Sequence, residues 1–523
     1  MHLRPAALLF SCLIALAIAT VTRAAEVPFA EVRIANGLLA GTPPVAGVWS
    51  FLGVPYAQPP VGSLRWREPR ASADWTGVRR ADRFGPRPMQ PTLWRDMVFR
   101  SEQMAEDCLY LNVGSAAASP ASRLPVLVYF HGGGLVAGDG SEPRYDGASM
   151  ARRGIVVVTV NYRLGIFGFL AHPELTKESP HRASGNYGFL DQNAALRWVQ
   201  RNIAAFGGDP HRVTIGGQSA GAASVCVQMA SPLSRDLFVG AIGQSGSALG
   251  SRDRSLAEAE QAGLKFAAET GVASLADLRQ MSAERLLAAS SPLQFSRGVV
   301  VDGYFLPETP PEIFFTGRQA DVPLLAGWNS AEAGCQALLG AEPPTVANLQ
   351  HAVQRLYGEN AAVVLKLYPA ANPTEAMVAA TALASDRFSA YRTWKWLDVH
   401  SKSSGQPVFR YLFTQLPPPE YQPAGEKSVS ATPPGPPHSA EIPYALGNLP
   451  LIGGRTWTDA DVKTSATLQK YFENFVKAGD PNGPGLPRWP WIQASIPEVM
   501  MIRAESAGEP ESNLERYLLL DTL

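Results

Sequence analysis

The chain reads as an α/β protein whose mostly parallel central sheet is flanked by helices. Short runs dense in β-branched and aromatic residues recur along it, helical patterns fill the intervals, and 523 residues with 46% apolar content can bury a large core. Near-continuous runs of this kind are what a strand buried on both faces requires, because neither side of the pleat meets water.

Residues 1–24 open with Arg4 and continue through an apolar run from Ala6 to Val21 into small residues around Thr22 and Ala24. The run is shorter than the ~20 residues that cross a bilayer, so a cleaved signal peptide is expected, with an uncleaved membrane anchor as the alternative. Residues 25–523 are then expected to form a single domain in a secreted or periplasmic protein. The expected strands are PVLVYF at 125–130, GIVVVTVNYR at 154–163, RVTIGG at 212–217, VGAIGQS at 239–245, DVPLLAGW at 321–328 and PVFRYLF at 407–413. Between them, NYGFLDQNAALRWVQRNIAAFGG puts Leu190, Ala194, Leu196, Val199 and Ile203 roughly on one helical face and closes on a glycine pair. Two helix-rich stretches, about 251–290 and 341–403, interrupt the rhythm as insertions above the sheet, either lid or extra core. The proline-rich segment at 417–437 can form no regular element and is either a surface loop or the rim of a site.

Lys and Arg total 45 against 46 Asp and Glu, leaving a formal charge of −1 and no basic field for nucleic acid or an anionic membrane. Neutral or apolar ligands are therefore expected. Cys12 leaves with the signal, and Cys108, Cys226 and Cys335 are too few and too scattered for a disulfide framework or a zinc site. No metal and no organic cofactor is expected.

Gly-Gln-Ser occurs twice, at 217–219 and 243–245. Ser219 sits in Gly217-Gln218-Ser219-Ala220-Gly221, after a strand and before a run of small, helix-compatible residues, which is the setting of a nucleophile elbow. Ser245 has Ser247 where the second glycine would stand and leads into a polar turn, so a supporting hydroxyl is its expected role. A serine needs a base and oxyanion donors to act. The donors are expected from His131-Gly132-Gly133-Gly134, where no side chain shields the backbone N–H groups after a strand. In the elbow architecture acid and base follow the serine in that order, leaving His351, His400 and His438 as bases. His351 reads as a helix residue and His400 as part of a polar turn, whereas His438 lies on an irregular segment beside ordered chain. For the acid, Glu332 follows the strand DVPLLAGW; Asp302 competes, although its Asp-Gly step also marks a tight turn.

With these residues assembled, the chain resembles the type-B carboxylesterase family, which includes the cholinesterases, from about residue 27 to the end. The matching blocks include FLGVPYAQPPVGSLRWREP, EDCLYLNV, FHGGGLVAGDG, GNYGFLDQNAALRWVQRNIAAFGGDPHRVTIGGQSAGAASV, QSGS, AGWNSAEAG and HSAEIPYALGN. The resemblance implies an α/β-hydrolase fold, Ser219 as nucleophile, Glu332 as acid, His438 as base, and N–H groups of Gly133, Gly134 and Ala220 as the oxyanion hole. It puts Ser245 beside the acid and histidine as support. It also puts Leu293 and Phe295 in the segment that lines the acyl pocket, where a plain core role is equally open.

The chain departs from the family in four places. FGPRPMQPT lacks the cysteine that would bond Cys108, Gln218 replaces the usual glutamate, no tryptophan stands at the choline-binding spacing, and Ala331-Glu332-Ala333-Gly334 replaces the usual Asp-Glu-Gly. The second and third remove features that attract cations. The expected function is a serine carboxylesterase acting on a small-molecule ester through an acyl-enzyme. The alternatives are a specialised hydrolase of aromatic, carbamate, pyrethroid-like or mycotoxin esters, and a non-catalytic binding protein on the same fold.

Overall fold

The computed structural model describes residues 31–250, 253–272, 274–290, 295, 299–420, 434–492 and 498–523. The expected signal peptide, Leu293 and most of the proline-rich segment lie outside the described residues. Among the described residues no helix is long and apolar enough to cross a membrane.

A ten-stranded sheet organises the molecule. In spatial order its strands are Ala507–Pro510, Glu498–Ile502, Val408–Phe413, Leu324–Asn329, Gly240–Gln244, Gly208–Gln218, Leu124–Phe130, Val156–Val160, Tyr110–Ser115 and Trp49–Pro55. The seven from Glu498–Ile502 to Val156–Val160 run parallel, and antiparallel partners close both edges. All six expected strands are present within this parallel part. Along Leu124–Phe130 the period of two sorts the side chains: Val126, Val128 and Phe130 enter one core cluster, Leu127 and Tyr129 the other. Each face of the sheet thus has its own apolar layer, which is why these runs carry so little polarity.

The helix Tyr187–Asn202 continues through a tight turn, Ile203–Phe206, to Gly207 at φ 79°, so the glycine closes the segment as expected. Its burial goes further than the apolar face. Asp191 is wholly buried and paired to Arg163, whose Nε and Nη2 donate to its two carboxylate oxygens at 2.8 and 2.7 Å. Gln192 donates to Ser224 and Asn193 to Ser234. A helix can be buried on its polar side only when such partners exist.

The first helical stretch contributes Leu256–Glu269, Leu275–Gln280 and Ala283–Ala289, and its Phe266, Leu275, Leu278 and Leu286 join the main core. In the second, Val346–Tyr357, Ala361–Leu367 and Pro373–Ser385 build a separate small cluster. The following helix, Tyr391–Ser403, returns Trp394 and Trp396 to the main core. His400 corrects the reading of a polar turn. It lies inside that helix, fully buried, with Nε2 on the Val322 carbonyl at 2.9 Å and Nδ1 on the Gln319 amide at 3.2 Å.

Candidate active site

Adjacent parallel strands end in step. Gln218 pairs with Gln244 and Gln244 with Gly327, so the turns that follow lie side by side at the carboxyl edge of the sheet. Ser219 and Ser245 occupy equivalent places, and their N–H groups donate to the carbonyls of Gln244 and Gly327, both at 2.8 Å. Their surroundings differ.

Ser219 stands between the strand Gly208–Gln218 and the helix Ala220–Ala230 with φ 57° and ψ −121°, a strained backbone for a residue with a side chain. The reversal brings strand and helix too close for neighbouring side chains. A Cβ on Gly217 would lie 2.5 Å from the Gly221 carbonyl carbon, and one on Gly221 would lie 2.0 Å from the Phe130 oxygen. Both glycines of the motif are therefore required by close approach, and Ser219 is left partly exposed at the crest.

The glycine segment 131–134 passes alongside. A Cβ on Gly132 would lie 3.2 Å from the Ser219 Cβ, and Gly133 at φ 101° and Gly134 at φ 62° turn the backbone through the left-handed region. Among the described residues the N–H groups of Gly133, Gly134 and Ala220 have no acceptor, whereas the Gly132 N–H donates to the Tyr145 hydroxyl at 3.3 Å. These donors lie on the two segments that meet at Ser219, and Ala220 opens a helix whose dipole favours negative charge there. His131, before them, is buried and stacked on Tyr162, and burial pushes its pKa down to about 4, leaving it neutral.

Glu332 and His438 meet directly. Glu332 is buried on the turn after Leu324–Asn329; its Oε1 accepts a hydrogen bond from the Asn329 N–H at 2.7 Å and its Oε2 accepts one from His438 Nδ1 at 2.5 Å. The two loops are tied by a hydrogen bond from the Ala331 N–H to the Pro436 carbonyl. Burial alone would lower the pKa of His438, but the charge and hydrogen bond of Glu332 outweigh it, Glu441 adds to them, and the net direction is upward. The other ring nitrogen, Nε2, faces the Gln218 amide nitrogen at 3.1 Å, and the Phe388 and imidazole rings pack at 80° to one another.

Ser245 is buried, and its hydroxyl turns to Glu441. Its Oγ donates to Glu441 Oε1 at 3.3 Å and accepts from Asn329 Nδ2 at 3.5 Å, while Asn329 Nδ2 also donates to Glu441 Oε2 at 2.6 Å. Its link to Glu332 therefore runs through Asn329. Asp302 organises its own turn, accepting the N–H groups of Tyr304, Phe305 and Leu306 on one oxygen, and His351 is exposed on its helix. Phe295 is buried edge-on against Phe266 in the main core.

Two features escaped the sequence reading. Glu441, three residues beyond His438, is fully buried, and burial reinforced by the Glu332 charge raises its pKa to about 7. The segment 91–99 is strapped over the glycine loop by Gln90, whose amide exchanges two hydrogen bonds with Gly138, by Asp96 on Arg144 at 3.0 Å, and by Ser141 Oγ on the Arg100 N–H. It brings Trp94 within 3.5 Å of where a Gly134 Cβ would stand. The only sequence sign of this was the apolar WRDMVF between prolines and EDCLYL.

The chain matches the model described as the carboxylesterase family over residues 29–517. It is 35% identical over 468 residues to fumonisin B1 esterase of Sphingopyxis macrogoltabida, covering 85% of this chain and 81% of that protein. It is 34% identical over 494 residues to liver carboxylesterase 1 of Oryctolagus cuniculus, covering 84% and 83%. With para-nitrobenzyl esterase of Bacillus subtilis the identity is 33% over 491 residues, covering 90% and 95%.

Proposed function

The chain belongs to the carboxylesterase family of ester hydrolases, and from that premise we propose that it is a secreted or periplasmic serine esterase of neutral esters working through an acyl-enzyme. Ser219 Oγ attacks the ester carbonyl carbon as its proton passes to His438 Nε2, and the oxyanion is held by the N–H groups of Gly133, Gly134 and Ala220. Glu332 keeps the imidazole in the tautomer that leaves Nε2 free to accept, and stabilises the cation that forms. The Nε2 proton then goes to the departing alkoxide, leaving Ser219 acylated. Water, deprotonated by the same nitrogen, releases the acid and restores the serine.

The observation that carries this reading is the buried Glu332–His438 hydrogen bond, with the other ring nitrogen 3.1 Å from the side-chain amide of Gln218, the residue adjoining Ser219. Neutral substrates are favoured because Gln218 carries no charge and Asp96 is committed to Arg144. The likeness to fumonisin B1 esterase supports a narrower second reading, a hydrolase of a mycotoxin ester. The export reading rests on residues 1–24.

The test is a fluorophosphonate probe with peptide mapping, alongside hydrolysis of nitrophenyl butyrate. The phosphonyl group is expected on Ser219, and Ser219→Ala is expected to lose both the adduct and the hydrolysis. Ser245→Ala should keep the adduct and lose about 1–3 kcal/mol in kcat/KM, the worth of a supporting hydrogen bond. Adducts elsewhere, or equal and total loss in both variants, would overturn the assignment.

A further inference from the structure

Buried arginines in this chain face carboxylates: Arg65 meets Glu106, Arg163 meets Asp191 and Arg410 meets Glu511. Arg392 does not. It is half-buried at the start of the helix Tyr391–Ser403, and among the described residues no hydrogen bond, ion pair or ring contact engages its guanidinium. Burial lowers its pKa, and only the neighbouring Tyr391, whose hydroxyl donates to Asp521, opposes that shift. Asp253, three residues past Gly250, does not neutralise it: burial and then Glu312 raise the Asp253 pKa to about 7, and no cation lowers it.

The helix sets where this charge stands. Phe388, Arg392 and Trp396 are spaced by four and form one ridge along the continuous run that includes the wide turn Asp386–Ala390. Each meets part of the site or its support. The Phe388 ring lies 4.9 Å from the His438 ring, Arg392 Cγ is 3.3 Å from where a Gly250 Cβ would stand, and Trp396 fills the space of a Gly243 Cβ on the strand Gly240–Gln244. The segment that Arg392 touches starts at the elbow, since a Cβ on Gly246 would lie 2.2 Å from the Ser219 carbonyl oxygen. Four residues reach at most about 14 Å, so Gly250 and the arginine against it lie within one medium-length acyl chain of Ser219. Arg254–Ser255, a few residues on, pair with Val300–Val301 just beyond Phe295, the side on which the acyl pocket is expected.

Resting on the proposed role of Ser219, we propose that Arg392 is an anion subsite for the acyl part of the substrate. It binds a carboxylate at the far end of the acyl chain, so hemiesters of dicarboxylic acids are substrates in addition to the neutral esters. A guanidinium suits this task because it stays charged at any working pH and its planar fork gives a carboxylate two parallel hydrogen bonds. Half-burial strengthens them, because little water competes. The Phe388 ring, 49% exposed between His438 and Arg392, gives the intervening methylenes an apolar wall. The reaction at the carbonyl is unchanged: Ser219 takes the acyl half, the alcohol leaves, and water releases the diacid.

The experiment compares kcat/KM for the mononitrophenyl esters of adipic, suberic and sebacic acids with nitrophenyl hexanoate, octanoate and decanoate. Each protein is read as the ratio of hemiester to neutral ester at equal chain length, which does not depend on the fraction folded. The wild type is expected to favour the hemiester about tenfold or more at one chain length, the worth of a charge-assisted hydrogen bond. Arg392→Gln is expected to abolish that preference, Arg392→Glu to invert it and Arg392→Lys to keep part of it. A wild-type ratio at or below one for every chain length, or ratios equal in the wild type, Arg392→Gln and Arg392→Glu, would overturn the proposal. So would a dependence on Arg392 seen only with carboxyphenyl octanoate, whose charge lies on the leaving group. Were the reading of Ser219 itself at fault, the wild type would carry no phosphonyl group on that residue, a result separate from any ratio.

Discussion

Ser219 and Ser245 share the tripeptide Gly-Gln-Ser, a strand end and a left-handed φ, at 57° and 53°, yet they face different groups. One stands partly exposed beside the glycine loop; the other is sealed against Glu441 and Asn329. The carboxylate of Glu441 is the residue-scale feature with the clearest pH signature. Its negative charge helps to hold the pKa of His438 above the ordinary value; in the proposed mechanism His438 is a base only when neutral, so activity is expected to fall as pH drops through that raised pKa. Glu441, with its pKa raised to about 7, is charged only above that pH, and there Glu441→Gln removes the charge and destabilises the imidazolium. The acid limb of kcat/KM is therefore expected to move to lower pH, by less than the ~1–3 units produced by a charge in direct contact. A limb that stayed fixed or moved upward would show that Glu441 does not act on the ring.

Among elements, the strand–turn–helix around Ser219 depends on a crossing with no room for a methyl group. Gly221 meets the Phe130 carbonyl, which is backbone within the sheet and cannot turn aside. Gly221→Ala is expected to cost stability on the order of 1–3 kcal/mol or more, the usual range for overpacking, and to reduce phosphonylation of Ser219 as the crossing opens. Thermal melting and probe stoichiometry check the two effects, and an unchanged melt with full labelling would contradict the geometry. The helix Tyr187–Asn202 illustrates how far an element can be read from its own residues. Its apolar face was visible as spacing, but the burial of Asp191, Gln192 and Asn193 was not, because their partners Arg163, Ser224 and Ser234 lie on other segments. Nothing within the helix shows that three neighbours satisfy its polar face.

At the scale of the molecule, the three cysteines among the described residues are all free and buried, so the segment 91–99 is held down by the hydrogen bonds of Gln90 and Ser141 and by the Asp96–Arg144 pair. Burial raises the pKa of Cys108 well above its ordinary value and that of Cys226 to about 12, so neither offers a thiolate at neutral pH. Alkylation of the native protein is expected to leave all three unlabelled, unfolding to expose all three, and a reducing agent to leave the melting temperature unchanged. Mass spectrometry of the unreduced protein is the check, and a bridge between any two would refute it. The parts of this protein legible in the bare chain are those whose geometry is local. β-branched runs specify buried strands, paired glycines specify the turn at Ser219, and consecutive glycines leave unshielded donors, because each follows from the sterics of a few adjacent residues. Folding alone could bring Glu441 to Ser245 across 196 positions and the Gln218 amide to His438 across 220. Such contacts depend on which strand ends fall in step, and that is set by packing of the whole sheet against both apolar layers.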